Sequence, residues 1–149
     1  MGLISNGTTI FDAGALDSGL AKGAMTFIKK LTASSSSTLS FVDGASSVVL
    51  DSTYKEYMFT FNNIHPATDG EDFQFNMSID SGSNYNVTKT STYPYAYNSY
   101  AISGLAGLDY VADFDLAQST SDQILTNNIG NDNDQSAVGT LHLFNPSST

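Results

Sequence analysis

The chain has 149 residues and a formal net charge of -10, from 15 acidic and 5 basic side chains, and it contains neither Cys nor Trp. Its length fits one domain rather than two, and without cysteine it has no disulfide framework, zinc ribbon or thiol nucleophile. All five basic residues are lysines, so a chain this acidic, without arginine's planar fork, is expected to bind no nucleic acid.

No apolar run approaches the roughly 20 residues of a membrane span, and no membrane insertion is expected. The start, MGLISNGTTIFD, has neither the basic nor the apolar region of a secretory signal. Ser, Thr and Asn make up about a third of the chain, with 8 Tyr and 9 Phe, while strong helix formers such as Glu, Arg and Gln are scarce. This is β-protein composition, and 40% hydrophobic with 11% aromatic residues argues against disorder.

Residues 1–23 hold five of the twelve glycines and apolar residues with no sustained period of two. Leu16, Leu20, Ala24, Phe27, Ile28 and Leu31 fit a helical stripe, but Gly19 and Gly23 interrupt it. The preferred reading is an extended or part-helical docking arm whose Ile4, Ile10, Phe11, Leu16 and Leu20 bury themselves on a partner. Residues 24–149 are then the β-sandwich domain. Strands are predicted at Met25–Ala33, Thr38–Val42 and Ser47–Leu50, with a turn at Asp43-Gly44. Glu56–Phe61 has apolar residues on both faces and reads as a central strand.

Phe73, Phe75, Met77 and Ile79 alternate with Gln74, Asn76 and Ser78, the cleanest period of two in the chain, and are predicted to point inward. A polar loop over 62–72 precedes them, and Asp80-Ser-Gly-Ser closes them with a tight turn. Further strands are predicted at Val87–Thr92, Tyr93–Tyr100, Asp109–Leu116, Gln123–Leu125 and Gly139–Phe144. About nine short strands at this spacing predict an all-β fold, a jelly-roll-like antiparallel β-sandwich behind the N-terminal arm. With no strand after Phe144, its C-terminal edge is expected to be open or completed by a neighbouring copy.

Several stretches resemble a family of structural proteins of tailed phages that infect marine bacteria, cyanophages and their relatives. The motifs are Asp51-Ser-Thr-Tyr-Lys-Glu-Tyr, Ile64-His-Pro-Ala-Thr, Gly82-Ser-Asn-Tyr and Leu143-Phe-Asn-Pro-Ser-Ser-Thr. The resemblance covers most of residues 25–149, and ISNGTTIFDAGAL is similar to leaders that attach fibre and head-appendage proteins to the particle. It implies a β-sandwich module located in the virion, docked on portal, tail or major capsid protein and present in several copies.

Candidates for chemistry are few. His65 and His142 lie far apart, and there is no G-x-S-x-G, H-E-x-x-H or phosphate-cradling glycine loop. His142, between Leu141 and Leu143, is expected on a sheet face, and His65 is expected to bond locally within its loop. Glu71 and Asp72 read as a solvated turn rather than a glycosidase pair. Asn131-Asp132-Asn133-Asp134 offers hard oxygens for calcium, with Asp132 and Asp134 as candidate ligands, but lacks the loop glycine and terminal glutamate of an EF-hand. A solvated turn is the favoured reading.

Neither enzyme nor cofactor is expected. The tyrosines Tyr85, Tyr93, Tyr95, Tyr97 and Tyr100 are the candidate contact set for host-surface glycans or a protein partner, because alternation puts Tyr93, Tyr95 and Tyr97 on one face, and packing in the interior or at a subunit contact is the competing reading of the same rings. The expected role is a non-enzymatic virion appendage or fibre, the alternative being a capsid decoration or cement protein.

Overall fold

A computed structural model describes residues 3–5, 8–12, 15–16, 25–99 and 103–147. For the strands ahead of residue 25 it describes the backbone and, of the side chains, that of Ile4 alone. The chain divides into two compact units, Met1–Leu31 and Thr32–Thr149. Every ladder is antiparallel, and the described residues contain no α-helix.

In the first unit β1 (Leu3–Ser5), β2 (Thr8–Asp12) and β3 (Ala15–Leu16) form one sheet in chain order. Ser5 pairs with Thr8 and Asp12 with Ala15, so the connections are the dipeptides Asn6-Gly7 and Ala13-Gly14. Asn-Gly is the pair most favoured in two-residue hairpins, whose turns need φ > 0. A β-meander therefore stands where the sequence pattern predicts an extended or part-helical arm, and residues 25–31 do not continue the helical stripe.

The second unit starts without regular structure. No strand lies between residues 32 and 55, against the strands predicted at Thr38–Val42 and Ser47–Leu50, nor is there one at Met25–Ala33 in the first unit. Turn chemistry wins here. Gly44, Ser46 and Ser47 take positive φ, Ala45 N donates to Val42 O, and Asp43 Oδ1 accepts Leu50 N at 2.8 Å. Short polar side chains satisfy the backbone locally and compete with a ladder.

Then come β4 (Glu56–Ile64), β5 (Glu71–Phe75), β8 (Gln123–Ile129) and β9 (Ala137–Phe144). Between them come β6 (Pro94–Asn98), β7 (Ala106–Tyr110) and a single 3-10 turn at Ala112–Phe114. They pair as three two-stranded sheets, β4–β9, β5–β8 and β6–β7.

In β4–β9 the residues Tyr57, Phe59 and Phe61 lie opposite Leu143, Leu141 and Gly139. Tyr57 is buried, Phe59, Phe61, Leu141 and Leu143 are half-buried and Gly139 is exposed, while Glu56, Met58 and Thr60 are exposed. Among the described residues β4 pairs with β9 alone, so it is an edge strand with one wet face rather than the central strand its pattern predicts. Bulges interrupt both long ladders, between Phe61 and Ile64 and between Glu71 and Phe73. Asn63 and Asn128 sit there at φ 54°, a region that asparagine tolerates better than other residues bearing a Cβ.

The inward alternation of β5 holds for Phe73 and Phe75 around exposed Gln74 and then stops. The strand ends at Phe75, and Ile79 is 89% exposed. Phe61 and Phe73 meet edge to face, 4.9 Å between centroids, joining β4 to β5. Val48, Tyr57 and Ile129 are the buried apolar residues among those described. Where the sequence predicts a strand at Val87–Thr92, one bridge forms between Lys89 and Ser119. The predicted strand at Asp109–Leu116 is replaced by the end of β7 and the 3-10 turn.

Candidate functional site

The tyrosine run falls on the β6–β7 hairpin. Pro94, which has no N–H to give, opens β6, as suits the first residue of a strand. The register pairs Pro94 with Tyr110, Tyr95 with Asp109, Ala96 with Leu108, Tyr97 with Gly107 and Asn98 with Ala106. Directly opposed residues share a face. One face therefore carries Tyr95, Tyr97, Gly107 and Asp109, and the other Pro94, Ala96, Leu108 and Tyr110.

On the first face the rings run as a ladder, with centroids 6.5 Å apart for Tyr93–Tyr95 and 5.4 Å for Tyr95–Tyr97. Tyr95 and Tyr97 are each 37% exposed. Tyr97 lies over Gly107, where an added Cβ would come within 2.9 Å of its hydroxyl and 3.0 Å of the ring. The missing side chain of Gly107 is thus the seat of the Tyr97 ring.

The base of the hairpin is fixed by Asp115. Its Oδ1 accepts Tyr93 N at 2.8 Å and its Oδ2 accepts the Tyr110 hydroxyl. That bond raises the Tyr110 pKa, with burial and the Asp115 charge adding to it. Phe114 meets the Tyr93 ring edge-on at 5.2 Å. Burial is the main cause of a raised Tyr93 pKa, followed by the charge of Asp72 and the neighbouring Tyr95. Tyr93 is therefore the rooted end of the ladder, and Tyr95 and Tyr97 are its presented end.

The other candidates are placed apart from it. Tyr85 covers the 80–83 turn, its hydroxyl 3.1 Å from where a Gly82 Cβ would stand. Tyr100 and Leu20 lie outside the described residues. Ile10 and Phe11 are on β2 and Leu16 on β3, with Leu3, Phe11 and Leu16 opposite one another in the register. Ile4 is exposed.

The acidic loop is a tied turn. Gln135 N donates to Asp132 O at 2.9 Å, Gln135 Oε1 accepts Asp132 N, and Asp69 Oδ1 accepts Asn131 N. No group of three metal-ligating His, Cys, Asp or Glu occurs among the described residues. His65 does not bond within its own loop: its Nε2 donates to Asp132 O at 2.9 Å and clamps residues 62–72 to the acidic turn. His142 Nδ1 contacts Glu56 Oε1 at 2.5 Å, and its ring stacks on Phe144. A cleft of about 160 Å³ lies between β4–β9 and β5–β8, lined chiefly by Phe61, Ile64, Phe73, Leu125 and Val138.

One cluster escapes sequence reasoning. Lys89 is only 8% exposed, and its Nζ donates to Asn76 Oδ1 at 2.5 Å and to Val87 O at 2.9 Å. Asn76 Nδ2 in turn donates to Asp122 Oδ1 at 2.7 Å and Thr120 O at 3.1 Å, while Met77 N donates to Asn76 Oδ1 at 2.8 Å. Beside it, Ser91 Oγ donates to Gln123 Oε1 and accepts Leu116 N. The sequence signal is faint: a lysine amid β-branched residues in Val-Thr-Lys-Thr.

Compared with known proteins, the chain matches no family model, and neither a curated protein nor a solved structure matches it. No helix among the described residues is long and apolar enough to cross a membrane.

Proposed function

We propose that the chain is a non-enzymatic structural protein of a tailed-phage particle, an appendage or fibre whose β6–β7 hairpin touches glycans of the host surface. The observation that carries this reading is the tyrosine ladder: three rings in sequence, Tyr93 just before β6 and Tyr95 and Tyr97 exposed on it, with no lysine on the hairpin. Such rings offer apolar area with hydroxyl tips at low entropic cost, which suits stacking on sugars. The resemblance of the 51–57, 64–68, 82–85 and 143–149 motifs to phage structural proteins supports a virion location. We read β4–β9 and β5–β8 as the two layers of a small jelly-roll-like sandwich, supported by the Phe61–Phe73 contact, and residues 1–23 as the part that docks on portal, tail or major capsid protein.

The test is binding of the full chain to host cells and to their isolated surface glycans. Tyr95→Ser with Tyr97→Ser should weaken binding roughly tenfold or more and leave the chain folded, with a melt lowered by the loss of the ring contact and of the Tyr97 seat on Gly107. Wild-type binding should vary little with salt, because stacking and hydroxyl bonds are weakly screened. A second reading, a capsid decoration protein, is favoured by the apolar back of the same hairpin, where Leu108 is 81% exposed. It expects unchanged host binding and particles that rupture more easily when Leu108 is replaced by Asp.

A further inference from the structure

The Lys89–Asn76–Asp122 cluster has the parts of a self-ligating site. A primary amine stands against a carboxamide, and a carboxylate holds the nitrogen that would have to leave. Lys89 Nζ donates to Oδ1 at 2.5 Å, so the amine rests against the carbonyl it would attack, and rotation of its flexible stem would carry it from the oxygen onto the carbonyl face. Met77 N–H donates to the same Oδ1, where negative charge gathers when a carbonyl is attacked. Asp122 and the Thr120 carbonyl both hold Nδ2.

We propose that Lys89 and Asn76 become joined by an intramolecular amide bond, formed by the chain itself with release of ammonia. Lys89 first gives up a proton to solvent, which leaves a neutral amine. The Nζ lone pair then forms the Nζ–Cγ bond, and the carbonyl π pair moves to Oδ1 under the Met77 N–H. Nζ gives a second proton to solvent, and Nδ2 takes one through Asp122, its hydrogen-bond partner. The Oδ1 pair returns, the Cγ–Nδ2 bond breaks, and ammonia departs. It then takes up the remaining proton as ammonium. The net change is lysine ammonium plus carboxamide to secondary amide plus ammonium, with no oxidant, metal or nucleotide.

The burial that makes Lys89 unusual also favours this course. Desolvation lowers its pKa, against a smaller opposing pull from the Asp122 charge, so the neutral amine is easier to reach than on an exposed lysine. The Lys89–Ser119 bridge, closed by two backbone bonds of 2.8 and 2.9 Å, fixes the backbone that carries the amine.

The experiment is mass spectrometry of the denatured full chain before and after trypsin. The lysines are at 22, 29, 30, 55 and 89, so an unmodified chain yields fragments 56–89 and 90–149. The amide would block cleavage at Lys89 and leave a fragment 56–149 that is lighter by one ammonia, about 17 Da. Lys89→Arg keeps the charge and the donors but cannot form the bond, and should have its full mass; Asp122→Asn should do the same or react far more slowly. A wild-type chain at full mass that is cut after Lys89 overturns the proposal. So does a 17 Da deficit that persists in Lys89→Arg, which would mark cyclisation of an asparagine on its own backbone. The wild-type digest decides the matter even if neither variant folds.

Discussion

Asp80 shows how an exposed carboxylate can be held by donors alone. Ser78 Oγ donates to its Oδ1 at 2.6 Å, Asn84 Nδ2 to its Oδ2 at 2.6 Å, and Asn84 N to Oδ1 at 2.8 Å. These bonds favour the charged form and draw the Asp80 pKa from 3.8 to about 2, with the Ser78 bond the largest cause. A depressed carboxyl pKa adds stability at pH values above its unfolded value, and the gain is lost as pH falls toward 2. The difference in melting temperature between wild type and Asp80→Ala should therefore be constant above about pH 5 and shrink between about pH 4 and 2. The same turn makes Gly82 hard to replace. It has φ 80°, and an added Cβ would come within 2.9 Å of Val42 and 3.1 Å of the Tyr85 hydroxyl. Gly82→Ala should lower the melting temperature more than Gly104→Ala, because Gly104 shares the positive φ but has open space around it.

At the scale of elements, β5 gives the sharpest test. Phe73→Ala removes the partner of Phe61 and should cost about 2–3 kcal/mol, while Gln74→Ala and Ile79→Ala should each cost less than about 0.5 kcal/mol in denaturant melts. The period of two in Phe73-Gln74-Phe75 was legible because only local alternation is needed to see it. Its end was not, because Asn76 leaves the ladder to bond Asp122 and Thr120, 46 and 44 residues away. The serine-rich span before Lys55 misleads in the opposite way. Its β-branched and apolar residues suggest strands, yet positive φ at Ser35, Ser46 and Ser47 shows that local turns prevail. The β1–β2 pairing was missed, although Asn6-Gly7 between Leu-Ile-Ser and Thr-Thr-Ile-Phe carries a hairpin signal. Of the site, the one-sided run of Tyr93, Tyr95 and Tyr97 followed from alternation. The seat at Gly107 and the anchor at Asp115 depend on cross-strand register, which no local pattern encodes.

At the scale of the whole molecule, acidity works against compactness. Fifteen carboxylates against five amines repel one another at low ionic strength, so the melting temperature should rise by several degrees between about 10 and 200 mM salt, as the Debye length falls from about 30 to below 10 Å. A melt that is flat across that range would show that the charges are already neutralised by contacts. The β4–β9 ladder has a different consequence, in time rather than in stability. Its paired residues are far apart in the chain, Ile64 with Ala137 and Glu56 with Phe144. During synthesis at roughly 5–20 residues per second, β4 waits several seconds for its partner. Over that interval Tyr57, Phe59 and Phe61 face water on an unpaired strand, a template for any other nascent copy nearby. The closing of this ladder is thus the slow, non-local event by which we expect folding and aggregation to compete, and a chaperone that shields β4 should raise the yield of folded protein more than one acting after release.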